Sequence, residues 1–251
     1  MTQYGFFFDQ SRCTGCHACS IACKGWYDIP PGPLKYMRVF QWEDGVFPSL
    51  RLGILAVNCY HCDNPVCLPA CPHQAIFKEE KFGAVLVDQE RCRGERQCWD
   101  ACPYGAIVYA SDRRGEKAQK CTMCIDRLEQ GQSPICVLSC SLRALDFASL
   151  DELRKRYGDL DTLEGLPEGA LTRPAAVFKP RDGKKQLIPW DADRTLELWR
   201  DRGPYAAAGL PPTFTSKEDV VNPPPGIRGR DRLNLKPRTV EELMTATRND
   251  E

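Results

Sequence analysis

The run Cys13-Thr-Gly-Cys16-His-Ala-Cys19-Ser-Ile-Ala-Cys23 holds four cysteines separated by gaps of two, two and three residues. Two-residue gaps let three thiolates on one tight loop hold three irons of a cubane cluster, while the fourth thiolate reaches a second cluster. A tetrahedral zinc site instead favours two separate Cys-x2-Cys pairs. The spacing therefore indicates an iron–sulfur protein with paired cluster sites.

Three further cysteine groups follow along the chain. They are Cys59-x2-Cys62-x4-Cys67-x3-Cys71, Cys92-x2-Glu95-x2-Cys98-x3-Cys102 and Cys121-x2-Cys124-x11-Cys136-x3-Cys140. The chain has fifteen cysteines, and an odd number cannot form a closed set of internal disulfides. The metal-like spacing also argues against a disulfide scaffold, against zinc ribbons and against thiol catalysis by one Cys-x2-Cys pair. Four cluster sites are the interpretation that uses every group.

Charge and hydropathy exclude several classes of function. The chain has 251 residues, and its 34 Lys and Arg balance its 34 Asp and Glu. Because there is no excess of basic residues, the composition gives no reason to expect a nucleic-acid partner. The most apolar window, from Leu50 to Cys59, is interrupted by Arg51, so we expect no direct membrane insertion. Met1 to Asp9 lacks the segments of a signal peptide. The location is left open between the cytoplasm and folded export with a partner that bears a twin-arginine signal.

Internal repetition predicts an α+β fold made of two ferredoxin-like pseudo-repeat halves. Phe6 to Cys13 reappears as Val85 to Cys92: each is an apolar strand, an Asp turn, a basic residue and the first cysteine of a group. A second repeated pattern is a cysteine that ends a short helix, then a turn and the start of an apolar strand. It begins at Cys71, Cys102 and Cys140.

Local signals outside the cysteine groups predict two further elements. Phe77 to Val87 indicates a hairpin with Gly83 near its turn. Ser149-Leu-Asp-Glu152 fits a capping box, which predicts a short helix over Leu150 to Tyr157 that Gly158 ends.

The C-terminal part is rich in proline, with seven prolines between Gly203 and Pro237. Such a segment either stays disordered or lies extended against another surface, and we expect it to clasp a partner, with a short helix only at Val240 to Ala246. The predicted organisation is a cluster-binding region 1–148 in two intertwined halves (13–58 with 110–148, and 59–109), a helix-containing packing segment 149–202 and an irregular Pro-rich tail 203–251.

Three stretches resemble one protein family. Thr2 to Cys16, Pro134 to Cys140 and Leu142 to Phe147 resemble the iron–sulfur electron-transfer (beta) subunits of the dimethyl sulfoxide reductase family of molybdopterin oxidoreductases. The resemblance extends from Met1 to roughly residue 180. It implies four clusters in a line, with ligands exchanged between the first and fourth cysteine groups and between the second and third.

The resemblance also implies which residues hold each cluster. Site 1 would use Cys13, Cys16, Cys19 and Cys140; site 2 would use Cys23, Cys121, Cys124 and Cys136; site 3 would use Cys59, Cys62, Cys67 and Cys102; site 4 would use Cys71, Cys92 and Cys98, with Glu95 where the family commonly has cysteine. These sets account for all fifteen cysteines. The expected cofactors are three [4Fe-4S] clusters and one cluster of a different type at site 4.

Glu95 is the departure from the family pattern. Three remaining thiolates suit a [3Fe-4S] cluster, which is the outcome in related nitrate reductase subunits that have Trp at this ligand position. Two alternatives stay open. The Glu95 carboxylate binds the fourth iron of a [4Fe-4S] cluster, or site 4 holds no cluster, as in the similar subunit of a transhydroxylase.

These observations lead to a functional hypothesis. The chain would pass single electrons to or from a large molybdenum or tungsten bis-pterin catalytic subunit, with site 1 toward that subunit and site 4 toward a membrane anchor subunit or a soluble carrier. The sequence has no phosphate loop, nucleophile–base set or dinucleotide fingerprint, so the chain itself is expected to be non-catalytic. The alternatives are a free-standing polyferredoxin carrier and a structural cluster subunit of a transhydroxylase-like pterin enzyme.

Overall fold

The computed structural model describes residues 2–44, 51–182, 191, 193–194, 197–198, 201 and 235–246. The chain divides into two compact units. The first comprises 1–41, 54–182 and 233–251, and it contains every cysteine; the second comprises 42–53 and 183–232. In the second unit, the ring of Trp42 covers Gly53.

Short helices and strands alternate along the described residues. In chain order they are β1 (Tyr4–Asp9), α1 (Ala18–Trp26), β2 (Arg38–Asp44), β3 (Arg51–Val57), β4 (Ile76–Lys78), β5 (Val85–Val87), α2 (Gln97–Ala101), α3 (Ile125–Leu128), α4 (Ile135–Leu138), β6 (Leu145–Ser149), α5 (Leu150–Tyr157), a 3-10 turn (Gly169–Leu171), β7 (Ala176–Lys179) and α6 (Val240–Ala246). The α+β class predicted from the sequence is confirmed. None of the helices in the described ranges is long and apolar enough to cross a membrane.

The largest sheet has β1 at its centre. β6 pairs antiparallel with β1, β7 pairs parallel with it, and the order is β6-β1-β7. Phe6, Phe7 and Phe8 are all buried, which explains the continuous apolar run, because both faces of this central strand are covered. Helix α5 packs on the sheet through Leu153, which contributes to one buried cluster with Phe7.

The local predictions for the hairpin and for α5 are confirmed. β4 and β5 pair antiparallel, and Gly83 has a φ of 74° in the turn between them. Helix α5 begins after Ser149, whose hydroxyl accepts a hydrogen bond from the Glu152 N–H at 3.4 Å. Gly158 follows the helix with a φ of 91°. The β2–β3 ribbon and β7 were not predicted.

The predicted helix at Val240–Ala246 is also confirmed, as α6. Its Leu243 is buried in a cluster with Ile29, Leu34 and Val108, so this part of the tail packs against the core of its own unit. Residues 203–234, for which a clasp around a partner is predicted, lie outside the described residues.

Candidate iron–sulfur cluster sites

Each cysteine group contains a loop with one left-handed residue before its second ligand position. These residues are Gly15 (φ 72°), His61 (φ 44°), Gly94 (φ 75°) and Met123 (φ 61°). The left-handed conformation costs a glycine little, and it reverses the chain within the two-residue gap. The first two thiols of a loop consequently lie close together, as Cys13 and Cys16 do.

Several cysteines separated by three residues lie on or next to the short helices. Cys19 and Cys23 lie on α1, Cys98 is in α2 with Cys102 at its C-terminal cap, and Cys136 is in α4 two residues after its N-terminal cap. One helical turn separates side chains four positions apart by about 6 Å and leaves them on the same face. Each pair can therefore reach two adjacent clusters.

The fold brings thiols from different cysteine groups close together. Each thiol feels the charge of its neighbours, namely Cys13 that of Cys16 and Cys140, Cys23 that of Cys121 and Cys124, Cys67 that of Cys59, Cys62 and Cys102, and Cys98 that of Cys71 and Cys92. The predicted sites 1 to 4 group these neighbours together; Cys23 also lies near Cys19, which is assigned to site 1, and Cys121 lies near Cys59, which is assigned to site 3. The role of each residue as a cluster ligand stays a proposal.

Burial raises the pKa of most of these thiols. For Cys19 and Cys121 the loss of hydration is the largest cause, neighbouring thiolates add to it, and the pKa reaches about 12 for each. At neutral pH such a thiol keeps its proton until a metal replaces it. Iron binding would therefore release protons and would place several negative charges in the core.

Backbone N–H groups donate hydrogen bonds to the sulfur atom of the last cysteine in the second, third and fourth cysteine groups. The N–H of Ala75 lies 3.3 Å from Cys71 Sγ, that of Ala106 lies 3.4 Å from Cys102 Sγ, and that of Ala144 lies 3.2 Å from Cys140 Sγ. The residue before each alanine is left-handed: Gln74, Gly105 and Arg143. Hydrogen bonds to the sulfurs are one of the factors that set the reduction potential of a cluster.

The residues predicted for site 4 are three thiols and Glu95, and the structure gives the contacts of several of them. The N–H of Ala118 lies 3.4 Å from Cys92 Sγ, and the Tyr109 hydroxyl lies 3.6 Å from Cys98 Sγ. The Glu95 side chain is 56% exposed, and its Oε1 lies 3.7 Å from Nε2 of His73. This carboxylate thus stands at the surface beside an imidazole.

Aromatic rings pack beside the cysteines of sites 3 and 4. Trp99 stacks on Tyr109 with 5.0 Å between ring centroids, and Tyr104 meets Tyr60 edge-on at 4.9 Å. His61 is completely buried, and its Nδ1 accepts a hydrogen bond from the Val85 N–H at 2.9 Å. Such packing keeps water away from a cluster and so influences its potential.

Two of the buried cations lie near thiols of site 3, and sequence reasoning missed both. Arg38 is 1% exposed and Lys120 is 4% exposed, and both lie near thiols of site 3. Lys120 precedes Cys121 directly, which was the available signal, whereas nothing in the sequence around Arg38 sets it apart.

The four sets of thiols define the class of the protein: a ferredoxin-like iron–sulfur protein with several cluster sites. Among the described residues, no three His, Cys, Asp or Glu side chains converge on a position for a single metal ion. Cysteines around a cubane are spread over its corners, so their sulfur atoms need not converge in that way.

Comparison with known proteins identifies the family. Residues 12–76 and residues 50–150 each match a 4Fe-4S dicluster domain. The protein is 44% identical over 187 residues to the B component of anaerobic dimethyl sulfoxide reductase from Escherichia coli, with 71% of this chain and 89% of that protein covered. It is 33% identical over 229 residues to the B component of sulfite dehydrogenase from Allochromatium vinosum, with 80% and 92% covered. It is 39% identical over 152 residues to the electron transfer subunit of thiosulfate reductase from Salmonella typhi, with 60% and 78% covered.

This protein belongs to the iron–sulfur electron-transfer subunits of the dimethyl sulfoxide reductase family.

Proposed function

We propose that this chain conducts single electrons through clusters at sites 1 to 4, to or from a separate molybdenum or tungsten bis-pterin catalytic chain. The observation that carries the proposal is the unbroken order of the four thiol sets. Cys19 of site 1 lies near Cys23 and Cys136 of site 2, and Cys121 of site 2 lies near Cys59 of site 3. Site 3 and site 4 are joined through Cys98 and Cys102, one helical turn apart.

We infer that sites 1 to 3 each hold a [4Fe-4S] cluster and that site 4 holds a [3Fe-4S] cluster. Iron–sulfur clusters supply one-electron transfer, and their thiolate ligands would come from the four sets. The position of Glu95 supports the three-iron form, because its carboxylate contacts His73 at the surface. The hydrogen bonds to Cys92 and Cys98 support a cluster at site 4 rather than its loss.

We infer that the catalytic chain docks beside site 1. Cys16 is exposed, whereas Cys19 of the same site is buried. Apolar side chains on the neighbouring elements are also exposed: Ile21 of α1 (68%), Leu138 of α4 (50%) and Leu142 after Cys140 (45%). α1 and α4 pack together, so these residues contribute to one face, which we call the site 1 face. Covering it would shorten the path from the first cluster to a pterin.

At the other end of the series, site 4 lies near polar side chains on the surface. Glu95 is 56% exposed and His73 is 42% exposed. We infer that electrons are exchanged here with a second redox partner, either a membrane anchor subunit or a soluble carrier.

The test uses the full chain purified anaerobically with the pterin protein that accompanies it. Iron and sulfide analysis should show four clusters, reduced viologen should reduce them, and an oxidised substrate of the complex should reoxidise them. Cys13→Ser should block reoxidation, while Ser141→Ala, an exposed change next to Cys140, should not. Colourless, sulfide-free protein would overturn the proposal. Isolation as a free monomer would favour the polyferredoxin carrier, and clusters that no substrate reoxidises would favour the structural subunit.

A further inference from the structure

Arg38 is a buried cation without a carboxylate partner among the described residues. Its Nη2 donates hydrogen bonds to the carbonyl oxygens of Gly105, at 2.5 Å, and Tyr104, at 3.4 Å. Its Nε and Nη1 are buried and have no hydrogen-bond partner in the described part of the chain. Burial lowers the pKa of Arg38 to about 10, so the guanidinium is still charged at neutral pH.

Arg38 lies beside Cys102 of site 3, because the two carbonyl groups that it contacts belong to Tyr104 and Gly105, two and three residues after that cysteine. A thiolate at Cys102 would raise the pKa of the guanidinium. An unpaired charge in an apolar interior is costly, and it persists only where other charges or dipoles compensate it. Two carbonyl dipoles do so in part. Thiolates that hold an iron–sulfur cluster would supply the remaining negative charge.

Lys120 occupies a similar position between two sites. It is 4% exposed, and its Nζ donates hydrogen bonds to the carbonyl oxygens of Val85 and of Cys121, the second at 2.9 Å. No carboxylate forms an ion pair with it among the described residues. Its charge acts on Cys67 of site 3 and on Cys121 of site 2.

We propose that Arg38 and Lys120 are potential-setting residues: Arg38 raises the reduction potential of the cluster at site 3, and Lys120 raises the potentials at sites 2 and 3. This inference rests on the proposed function, because it requires clusters at those sites. Reduction adds one electron to a cluster whose ligands are already anionic. A fixed positive charge in a low-dielectric interior stabilises the reduced form more than the oxidised form, and no bond is formed or broken.

Higher reduction potentials at sites 2 and 3 would let the two central clusters accept electrons readily. Solvent screens charge at the exposed ends of the series, sites 1 and 4, but sites 2 and 3 lie between them in the interior. Buried cations act there with little screening. They would keep the central clusters from becoming an energetic barrier between site 1 and site 4.

The test is a redox titration of the holoprotein followed by electron paramagnetic resonance. Arg38→Met should lower the reduction equilibrium constant of one cluster at least tenfold. For a one-electron couple this is a fall of about 59 mV in the midpoint potential. Arg38→Lys keeps the positive charge but loses the guanidinium hydrogen bonds to the carbonyl oxygens of Tyr104 and Gly105. Its midpoint potential should therefore lie much closer to that of the unaltered chain than to that of Arg38→Met. Arg156→Met, an exposed arginine on α5 paired with Asp146, is the matched control and should shift nothing.

Lys120→Met provides a second, independent measurement, and it should lower two midpoint potentials. If Arg38→Met does not assemble its clusters, Lys120→Met still tests the inference. Four intact clusters with unshifted potentials in Arg38→Met or Lys120→Met would overturn the inference and leave the proposed function standing. Absence of clusters from the unaltered chain would instead overturn the proposed function.

Discussion

Glu95 occupies a loop whose backbone closely matches that of the Cys13 loop. Gly15 and Gly94 have φ angles of 72° and 75°, and His17 and Arg96, which follow the second ligand positions, have φ angles of 60° and 61°. Cys16 and Glu95 are therefore equivalent in position, and both are exposed. A cysteine at position 95 would need no change of backbone.

We expect Glu95→Cys to convert site 4 into a [4Fe-4S] site, because the fourth thiolate is then present in the same loop geometry. The three-iron signal of the oxidised protein should disappear from the electron paramagnetic resonance spectrum, and the iron content should rise. Glu95→Gln is the control and should keep the three-iron signal. An unchanged signal in the cysteine variant would refute the assignment, and a change in Glu95→Gln would indicate that the carboxylate binds iron.

Gly94→Ala tests whether the close approach of the Glu116 backbone to Gly94 is required at site 4. An L-residue in this conformation costs about 1–2 kcal/mol, and the added Cβ would also overlap the Glu116 carbonyl oxygen. Gly131→Ala has a similar φ of 71° with open space around it, so it measures the conformational cost alone. Gly94→Ala should lower the free energy of unfolding more than Gly131→Ala does and should reduce iron bound at site 4. Equal effects in urea unfolding and iron analysis would argue against the close approach.

At the scale of elements, α6 is tied to the loop that follows the third cysteine group. The Asp112 carboxylate accepts hydrogen bonds from Arg96 Nη1 at 2.6 Å and from the Val240 N–H at 3.0 Å. Gly105 accommodates the same segment, because an added Cβ there would overlap the Leu235 carbonyl oxygen. A short helix without strong intrinsic stability is held in place by these contacts and by the burial of Leu243.

We expect Asp112→Ala to release α6 from the core. Hydrogen bonds from Arg96 and from the Val240 N–H lower the pKa of Asp112 from its ordinary value of 3.8. Because the bond from Val240 exists only when α6 is docked, the ionised carboxylate favours docking, and this contribution is lost as the pH falls through the lowered pKa. Hydrogen exchange in α6, corrected for intrinsic rates, should be equal at pH 8 and pH 5 in the unaltered chain and faster in Asp112→Ala. The exposed Asp159→Ala is the control. Unchanged protection in Asp112→Ala would show that apolar packing alone holds the helix.

At the scale of the whole molecule, the two ends of the cluster series differ in surface character. The site 1 face exposes apolar side chains, whereas the surface of site 4 carries the polar side chains of His73 and Glu95, which lie 3.7 Å apart. Apolar residues around an exposed thiol favour a lasting protein interface. A polar surface is more typical of the rim of an interface or of a brief contact.

Ile21→Glu should therefore weaken assembly with the catalytic chain, because a charge would be buried at the centre of the interface. Co-purification should fall at least tenfold, while the cluster content and potentials stay unchanged. Leu171→Glu changes a side chain of similar exposure (64%) on the 3-10 turn and should not affect assembly. Normal co-purification of Ile21→Glu, or an equal loss in Leu171→Glu, would contradict the docking assignment.

Local features of the fold were predictable because their causes are local. Ser149 and Gly158 bracket α5 as expected, and Gly83 lies in the predicted hairpin turn. The β2–β3 ribbon and β7 were missed, since neither has turn chemistry or alternation strong enough to distinguish it. The docking of α6 on Leu34 and Val108 depends on contacts between residues more than 100 positions apart, and no local pattern encodes it.

The amino-acid sequence by itself determined the kind of cofactor. The gaps between cysteines, acting through the backbone angles and the rise per residue, set how many thiolates one loop can present. They also set the direction in which the next thiolate points. A family resemblance was needed to expect Cys140 beside Cys13, which the tertiary structure shows, and only the tertiary structure decided that the charges of Arg38 and Lys120 are buried next to site 3. Those positions arise when distant segments pack together, and the electrostatic consequences of burial exist only after water has been excluded.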